Sequence, residues 1–481
     1  MSAGIPSKAQ KPGVRCIDFD KLVLFNGLRR ASIFSINQIV GCLVEVEGCH
    51  INQNGSMGDT PLAWAAWNGH EEIVKLLLGR ADIDPDKPRE GGRTPLMLAA
   101  CNGHEGVVEI LLGRDDVNPD KSDNEGETPM YCAAKNGHAG VVEILLGRDG
   151  VNPDKPDNEG ETPLYCAAKN GHAVVVEILL GRDEVNPDKP DNDGITPLHS
   201  AACGGHEAVV KILLGRDDVS PNKPSNVGQI PLGWAAYNGH EGVVKALLGR
   251  DDINPNNTDA YGETPLYWAA FSGYEGVVKI LLGRGDVDPD QPCTSGQTPL
   301  FWAAFYGHEG VVKVLLGRSD VNPDKPDITG QTPLSRAAQE GRAGVVEILL
   351  GRDDVNPNYS NEAGQTPLYR ATKNGHSRVV EMLLGRNDVN PNYPNKDGKT
   401  PLFQAARRGD EGIVKILLGR DDINPHKPDN RGQTPLSCAA EYEHARVVEI
   451  LYSAGAMSTP ASQTMAECHP RGLLGTATRE S

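Results

Sequence analysis

Residues Thr128 to Arg148 read TPMYCAAKNGHAGVVEILLGR, and the fold follows from them. Thr128 is suited to cap a helix, and Pro129 at the first helical position gives up only an amide that has no partner there. Met130, Ala133 and Ala134 fall at i, i+3 and i+4 and make one apolar stripe. The two alanines are small enough to let a neighbouring helix approach. Cys132, Lys135 and Asn136 are then expected on the opposite, outward side. Gly137 ends the helix by accepting a left-handed turn. In the second segment Val141, Val142, Ile144, Leu145 and Leu146 form a broader apolar face, with Glu143 toward solvent. Gly147 is expected to turn the chain, and Arg148 to place a cation at the negative end of its helix. The following DGVNPDKPDNEGE, Asp149 to Glu161, is turn and loop chemistry. The expected unit is a short helix, a longer helix and an extended loop. Neither helix can bury its stripe alone, so such units must stack.

The dipeptide Thr-Pro begins at Thr60, Thr94, Thr128, Thr162, Thr196, Thr264, Thr298, Thr332, Thr366, Thr400 and Thr434, in steps of 34 residues or twice that. Ile230-Pro231 stands where the missing member belongs, so there are twelve repeats in register, numbered here from Thr60. Repeat six is the weak member: Ile230 cannot cap, and Gly233 adds backbone freedom inside the helix. A seam is expected to open there first.

The strings GETPLYCAAKNGH (Gly160 to His172) and VVEILLGRDEVNPD (Val175 to Asp188) resemble ankyrin repeats, and the resemblance runs from Asn37 to Ala456. It implies an all-α solenoid of helix-turn-helix units with β-hairpin-like loops. The loop from Val117 to Thr128 is longer than the family's common pattern. Units of this type are similar to arrays in filamentous-fungal proteins, where they often follow a NACHT-type nucleotide-binding module. The expected organisation is a disordered segment over 1–19, a degenerate capping repeat over 20–58, twelve repeats over 59–456 and a disordered tail over 457–481.

Composition narrows function by exclusion. The formal net charge of −18 opposes general binding to nucleic acid phosphates. No apolar run is long enough to span a bilayer, so no membrane partner is expected. The polar N-terminus lacks a signal-peptide apolar region, which points to the cytoplasm, the nucleus not excluded, and to free thiols. No phosphate-binding glycine loop is present. His70, His104, His138, His172, His206, His240, His308, His376 and His444 share one place in the repeat, and stacked copies lie too far apart to converge on one ion. They read as structural. No enzyme activity, cofactor or metal is expected.

The resemblance places a protein partner on the loop tips and on the outward positions of the first helices. Along the array those positions form three zones. Repeats three and four carry Glu125, Glu127, Glu159 and Glu161, offset by Lys135 and Lys169. Repeats six to eight carry Trp234, Tyr237, Tyr261, Trp268, Phe271, Trp302, Phe305 and Tyr306. Repeat eleven and the last one carry Lys396, Lys399, Arg407, Arg408 and Arg431. The candidate partner-binding residues are the aromatic set with Lys399, Arg407 and Arg408. The aromatics have two readings, a binding hot spot or packing between neighbouring helices. Function likewise has two: a non-catalytic interaction scaffold, or the ligand-sensing array of a NACHT-type receptor. A chain starting just before its array fits the scaffold better.

Overall fold

A computed structural model describes residues 27–28, 30–32, 37–45, 51–54 and 58–455. The segments expected to be disordered, 1–19 and 457–481, lie outside the described residues, as does much of the expected cap over 20–58. Within that cap the helix Asn37–Val44 packs against the second helix of repeat one, Glu71–Leu78. Each later second helix packs on its predecessor in the same way within each compact unit.

All twelve repeats form their two helices. First helices run over seven or eight residues, as in Pro95–Cys101 and Pro129–Asn136. Second helices run over eight, as in Ala139–Leu146, with nine only at Ala445–Ser453. The two are therefore nearly equal, contrary to the expectation of a longer second helix. Capping follows the sequence: the Tyr131 N–H donates to Thr128 Oγ1 at 3.1 Å, and Ala63 to Thr60 in the same way. Ala133 and Ala134 are fully buried together with Val141, Val142 and Leu145. Small first-helix faces and branched second-helix faces thus form one continuous apolar layer within each compact unit.

The helix ends bear out the glycines and correct the sequence reading of the arginines. Gly137 does turn left-handed, at φ 78. Gly147 also turns the chain, as expected, while staying right-handed at φ −78. At the place after it in other repeats the arginine serves the neighbouring repeat rather than its own helix. Arg114 Nη1 donates to Leu78 O at 2.8 Å and Arg318 Nη1 to Leu282 O at 2.9 Å, each reaching back to the end of the preceding second helix. The same guanidinium holds an aspartate two residues on, Asp116 or Asp320. The cation sits at a negative helix end, as dipole arguments require, but it ties two repeats together.

The loops contain no strand among the described residues. Where an aspartate or asparagine opens the tip, the tight turn is built on that one side chain. Asp123 Oδ1 accepts from the N–H groups of Glu125 and Glu127, and the Asp123 N–H donates to Glu127 O at 3.0 Å. The Asn124 N–H donates to Gly91 O, and Arg93 donates to Asp123 and Glu127, so the tip is joined to the preceding repeat by backbone and side chain.

The chain divides into two compact units, one reaching Ala235 and including Lys245–Ile253, the other comprising Ala236–Val244 and the residues from Asn254 on. The division runs through repeat six, which departs from the pattern in three places. Ile230 offers no side-chain cap, and the Gly233 N–H bonds instead to the Ile230 carbonyl at 3.0 Å. Ser225 replaces the turn-building aspartate, and its hydroxyl is buried without a hydrogen-bond partner.

Candidate interaction face

First helices of successive repeats pack side by side in each compact unit. This creates a recurring slot: the residue seven positions after the capping threonine meets the residue four positions after the next one. The slot keeps its place while its chemistry changes.

In repeats two and three it holds Cys101 and Cys132, which interact across the slot, while the Cys132 thiol donates to Glu127 at 3.9 Å. Their interaction holds the Cys101 thiol below the usual thiol range and, with burial, pushes Cys132 up. Cys132 is buried, against the expectation that it faces outward. On an isolated helix the position faces outward; in the array the neighbouring helix covers it. Beside the pair lies a cleft of ≈ 280 Å³ lined by Trp67, Arg93, Glu127 and Lys135. Glu127 is almost fully buried and accepts from Arg93 at 2.6 Å and Lys135 at 2.9 Å. In repeat four Lys169 reaches Glu161 at 2.7 Å, and the Tyr131 hydroxyl donates to Glu161 at 3.1 Å. Burial pushes the Glu161 carboxyl up, but Lys169, with the Tyr131 and Cys166 contacts, outweighs it and holds the group below its ordinary value.

In repeats seven and eight the same slots are aromatic. Tyr237 meets Trp268 at 5.3 Å between ring centroids, and Phe271 meets Trp302 at 5.2 Å. Rings along each helix extend the contacts: Trp268 to Phe271 at 5.7 Å, Trp302 to Phe305 at 5.3 Å, Phe271 to Tyr306 at 4.9 Å. Most pairs are edge-to-face, the arrangement that ring quadrupoles favour. Trp268, Phe271, Trp302 and Phe305 are half-buried, whereas Tyr237 and Tyr306 keep 40% and 38% of their surface exposed. Packing and presentation are not alternatives here. Each ring packs on its neighbour with one side and leaves the other on the surface. Trp234 is half-buried on the repeat-six helix, in the other compact unit. Tyr261, exposed on a loop tip, makes no ring contact with the rest among the described residues.

The basic candidates are engaged inside the protein. Lys399 Nζ lies 3.6 Å from Asp397 and over the Phe403 ring. Arg407 stacks on Tyr442 with 5.6 Å to the ring centroid. Arg408 Nη1 donates to Lys373 O at 2.6 Å. That last bond replaces a histidine tie found elsewhere. His138 Nε2 pairs with Cys101 O at 3.0 Å and His308 Nε2 with Phe271 O at 3.1 Å, each imidazole bridging to the preceding repeat. The ring lies so close to the preceding turn that a Cβ on Gly103 would stand 2.5 Å from His138 Nδ1, which, with φ 73, excludes other residues there. The histidines are structural ties, as read. His199 is different: burial pushes its pKa down to about 4, leaving it neutral. The Thr196 N–H donates to its Nδ1, and its Nε2 donates to Gln229 O. No cluster of three or more His, Cys, Asp or Glu side chains among the described residues could hold a metal ion.

Two residues of the face were missed. Arg336 and Arg370 occupy the register of Trp268 and Trp302 in repeats nine and ten and are half-buried. Their register, four residues after Thr332 and Thr366, is legible in the sequence.

A family model for ankyrin repeats in three copies matches residues 28–88, 81–157, 149–225, 218–292, 284–361, 319–395 and 368–460. The chain belongs to the ankyrin repeat family. A search of curated proteins gives no match. Ankyrin repeats are generally protein-interaction modules, and in this ankyrin array the variable slots are where repeats differ most in chemistry. No helix among the described residues is long and apolar enough to cross a membrane.

Proposed function

We propose that the protein is a non-catalytic interaction scaffold that binds a partner protein on the first-helix face of repeats seven and eight. One observation carries the reading: Trp268, Phe271, Trp302, Phe305 and Tyr306 form a connected ledge of rings that remains partly exposed. Clustered aromatics that are already mutually braced offer large apolar area at little cost in side-chain entropy, which is the character of binding hot spots. The three basic candidates contribute less, because each already has an internal contact. Location in the cytoplasm belongs to the same proposal. Service as the sensing array of a larger receptor would use this same face, and an adjoining nucleotide-binding reading frame would mark that case.

The test is partner capture from a cell extract by the wild type and by a variant carrying Trp268→Ala, Trp302→Ala, Phe305→Ala and Tyr306→Ala, both shown folded by circular dichroism. The reading expects a protein retained by the wild type and lost from the variant. Equal retention by both would move the site elsewhere.

A further inference from the structure

Beyond the ledge, in repeats nine and ten, the slot chemistry becomes cationic without a counter-ion. Arg336 lies over Phe305 with 4.6 Å from its guanidinium carbon to the ring centroid, and over Phe301 at 5.8 Å. Arg370 stands next along the face, close enough that the charge on Arg336 opposes its own; burial and that neighbour hold it below the usual guanidinium range. Neither guanidinium makes an ion pair or a side-chain hydrogen bond with any described residue, and the Nε atoms of both are buried without an acceptor. Gln339 Oε1, between them in the slot register, is also without a donor. The nearest acidic groups, Asp327 and Glu340, act on Arg370 only at longer range. Elsewhere the chain treats arginine differently: Arg93 holds Asp123 and Glu127, and the loop arginines Arg318, Arg352 and Arg386 each hold an aspartate.

Two half-buried like charges, unpaired, in a protein of net charge −18, are costly unless something completes them. Guanidinium groups present planar N–H donors that match a carboxylate, and such charge-assisted bonds are among the strongest available. Resting on the aromatic ledge as partner site, we propose that Arg336 and Arg370 form a clamp for an acidic side chain of a bound peptide, whose neighbouring apolar side chain lies on Phe305 and Tyr306. In an extended peptide, side chains two residues apart share a face and stand about 6.6 Å apart. Adjacent first helices are spaced at roughly 8–10 Å. The remaining few ångströms are within reach of a long acidic side chain and the arginines, so an apolar residue followed two positions later by glutamate spans the step from repeat eight to repeat nine.

The probes are acetyl-Phe-Ala-Glu-amide and acetyl-Phe-Ala-Gln-amide, titrated into the full chain carrying ¹⁵N-arginine, with the Nε–H signals of the two arginines identified by Arg336→Lys and Arg370→Lys. The clamp predicts saturable movement of both signals with the glutamate peptide, at least about tenfold tighter than with the glutamine peptide. It also predicts loss of that preference in an Arg336→Gln, Arg370→Gln variant with unchanged circular dichroism. Equal binding of the two peptides, or no movement of either arginine signal, overturns the clamp. If both peptides bind equally and Phe305→Ala weakens them, the clamp fails and the ledge stands. If the glutamate preference persists in Phe305→Ala with Tyr306→Ala, the ledge fails and the clamp stands. Inorganic phosphate, titrated in parallel, overturns the carboxylate assignment if it moves both signals at lower concentration than the glutamate peptide.

Discussion

Repeats three and four and repeats seven and eight share one scaffold and present opposite faces. Both pairs have the threonine cap, the buried alanine pair and the left-handed glycine. At the slot, however, the first pair places lysine over a buried glutamate, and the second places tryptophan against phenylalanine or tyrosine. The polar face is internally satisfied: Glu127 and Glu161 each already hold a cation. The aromatic face is internally braced but keeps apolar surface exposed. The indole N–H groups of Trp268 and Trp302 are buried without a hydrogen-bond partner. The difference teaches that the helix termini and inner stripes set the fold, while the slot is free to carry recognition.

That separation can be broken most severely within one helix. Phe301 is 1% exposed and belongs to the scaffold, whereas Phe305, four residues on, belongs to the face. Phe301→Ala should cost about 3–5 kcal/mol of local stability. Phe305→Ala should cost on the order of 1 kcal/mol, the value of its ring contacts. Hydrogen exchange resolved by repeat measures both; similar costs would erase the distinction between core and slot.

A smaller effect should come from the scaffold itself in repeat six. Ile230→Thr restores the missing acceptor for the third helical N–H and should stabilise that repeat by about 1 kcal/mol. The same exchange experiment should show repeat six least protected in the wild type and brought toward its neighbours in the variant. Uniform protection across the wild-type array would contradict the assignment of a weak point there.

The smallest effect compares one position across the two regions. Glu161 in repeat four is held below its ordinary value, chiefly by Lys169 against the effect of burial. Glu263, its counterpart in repeat seven, is pushed up by burial with no cation to offset it. The signs differ accordingly. Glu161 contributes stability above the ordinary carboxylate range, lost as pH falls through its lowered folded value. Glu263 is best tolerated at low pH, and its contribution turns unfavourable as pH rises through its raised folded value. At neutral pH Glu161→Gln should therefore weaken its repeat by about 1 kcal/mol, and Glu263→Gln should leave its repeat equal or slightly more stable. Loss of the same size in both would show that the slot environments do not differ as described.

Much of this was legible in the sequence because each feature is a local rule repeated. Thr128 with Pro129 opens a helix, and Gly137 closes it, whatever surrounds them. What escaped the reading depends on the next repeat. Cys132 looks outward on an isolated helix and is covered only by its neighbour. Arg114 sits at the end of its own helix, yet its hydrogen bond goes to Leu78 of the preceding one. His138 falls in a turn position, but its partner is a carbonyl 37 residues earlier. The aromatic zone was visible from residue type, and Arg336 and Arg370 share its register in the sequence, but their lack of a counter-ion shows only in three dimensions.

The most direct measurement transplants one face onto the other. A variant with Trp268→Cys, Phe271→Lys, Trp302→Cys, Phe305→Lys and Tyr306→Asn gives repeats seven and eight the residues that repeats three and four carry. The account predicts an unchanged circular dichroism spectrum and loss of the protein captured by the wild type from the same extract. A folded variant that still captures that protein would contradict it.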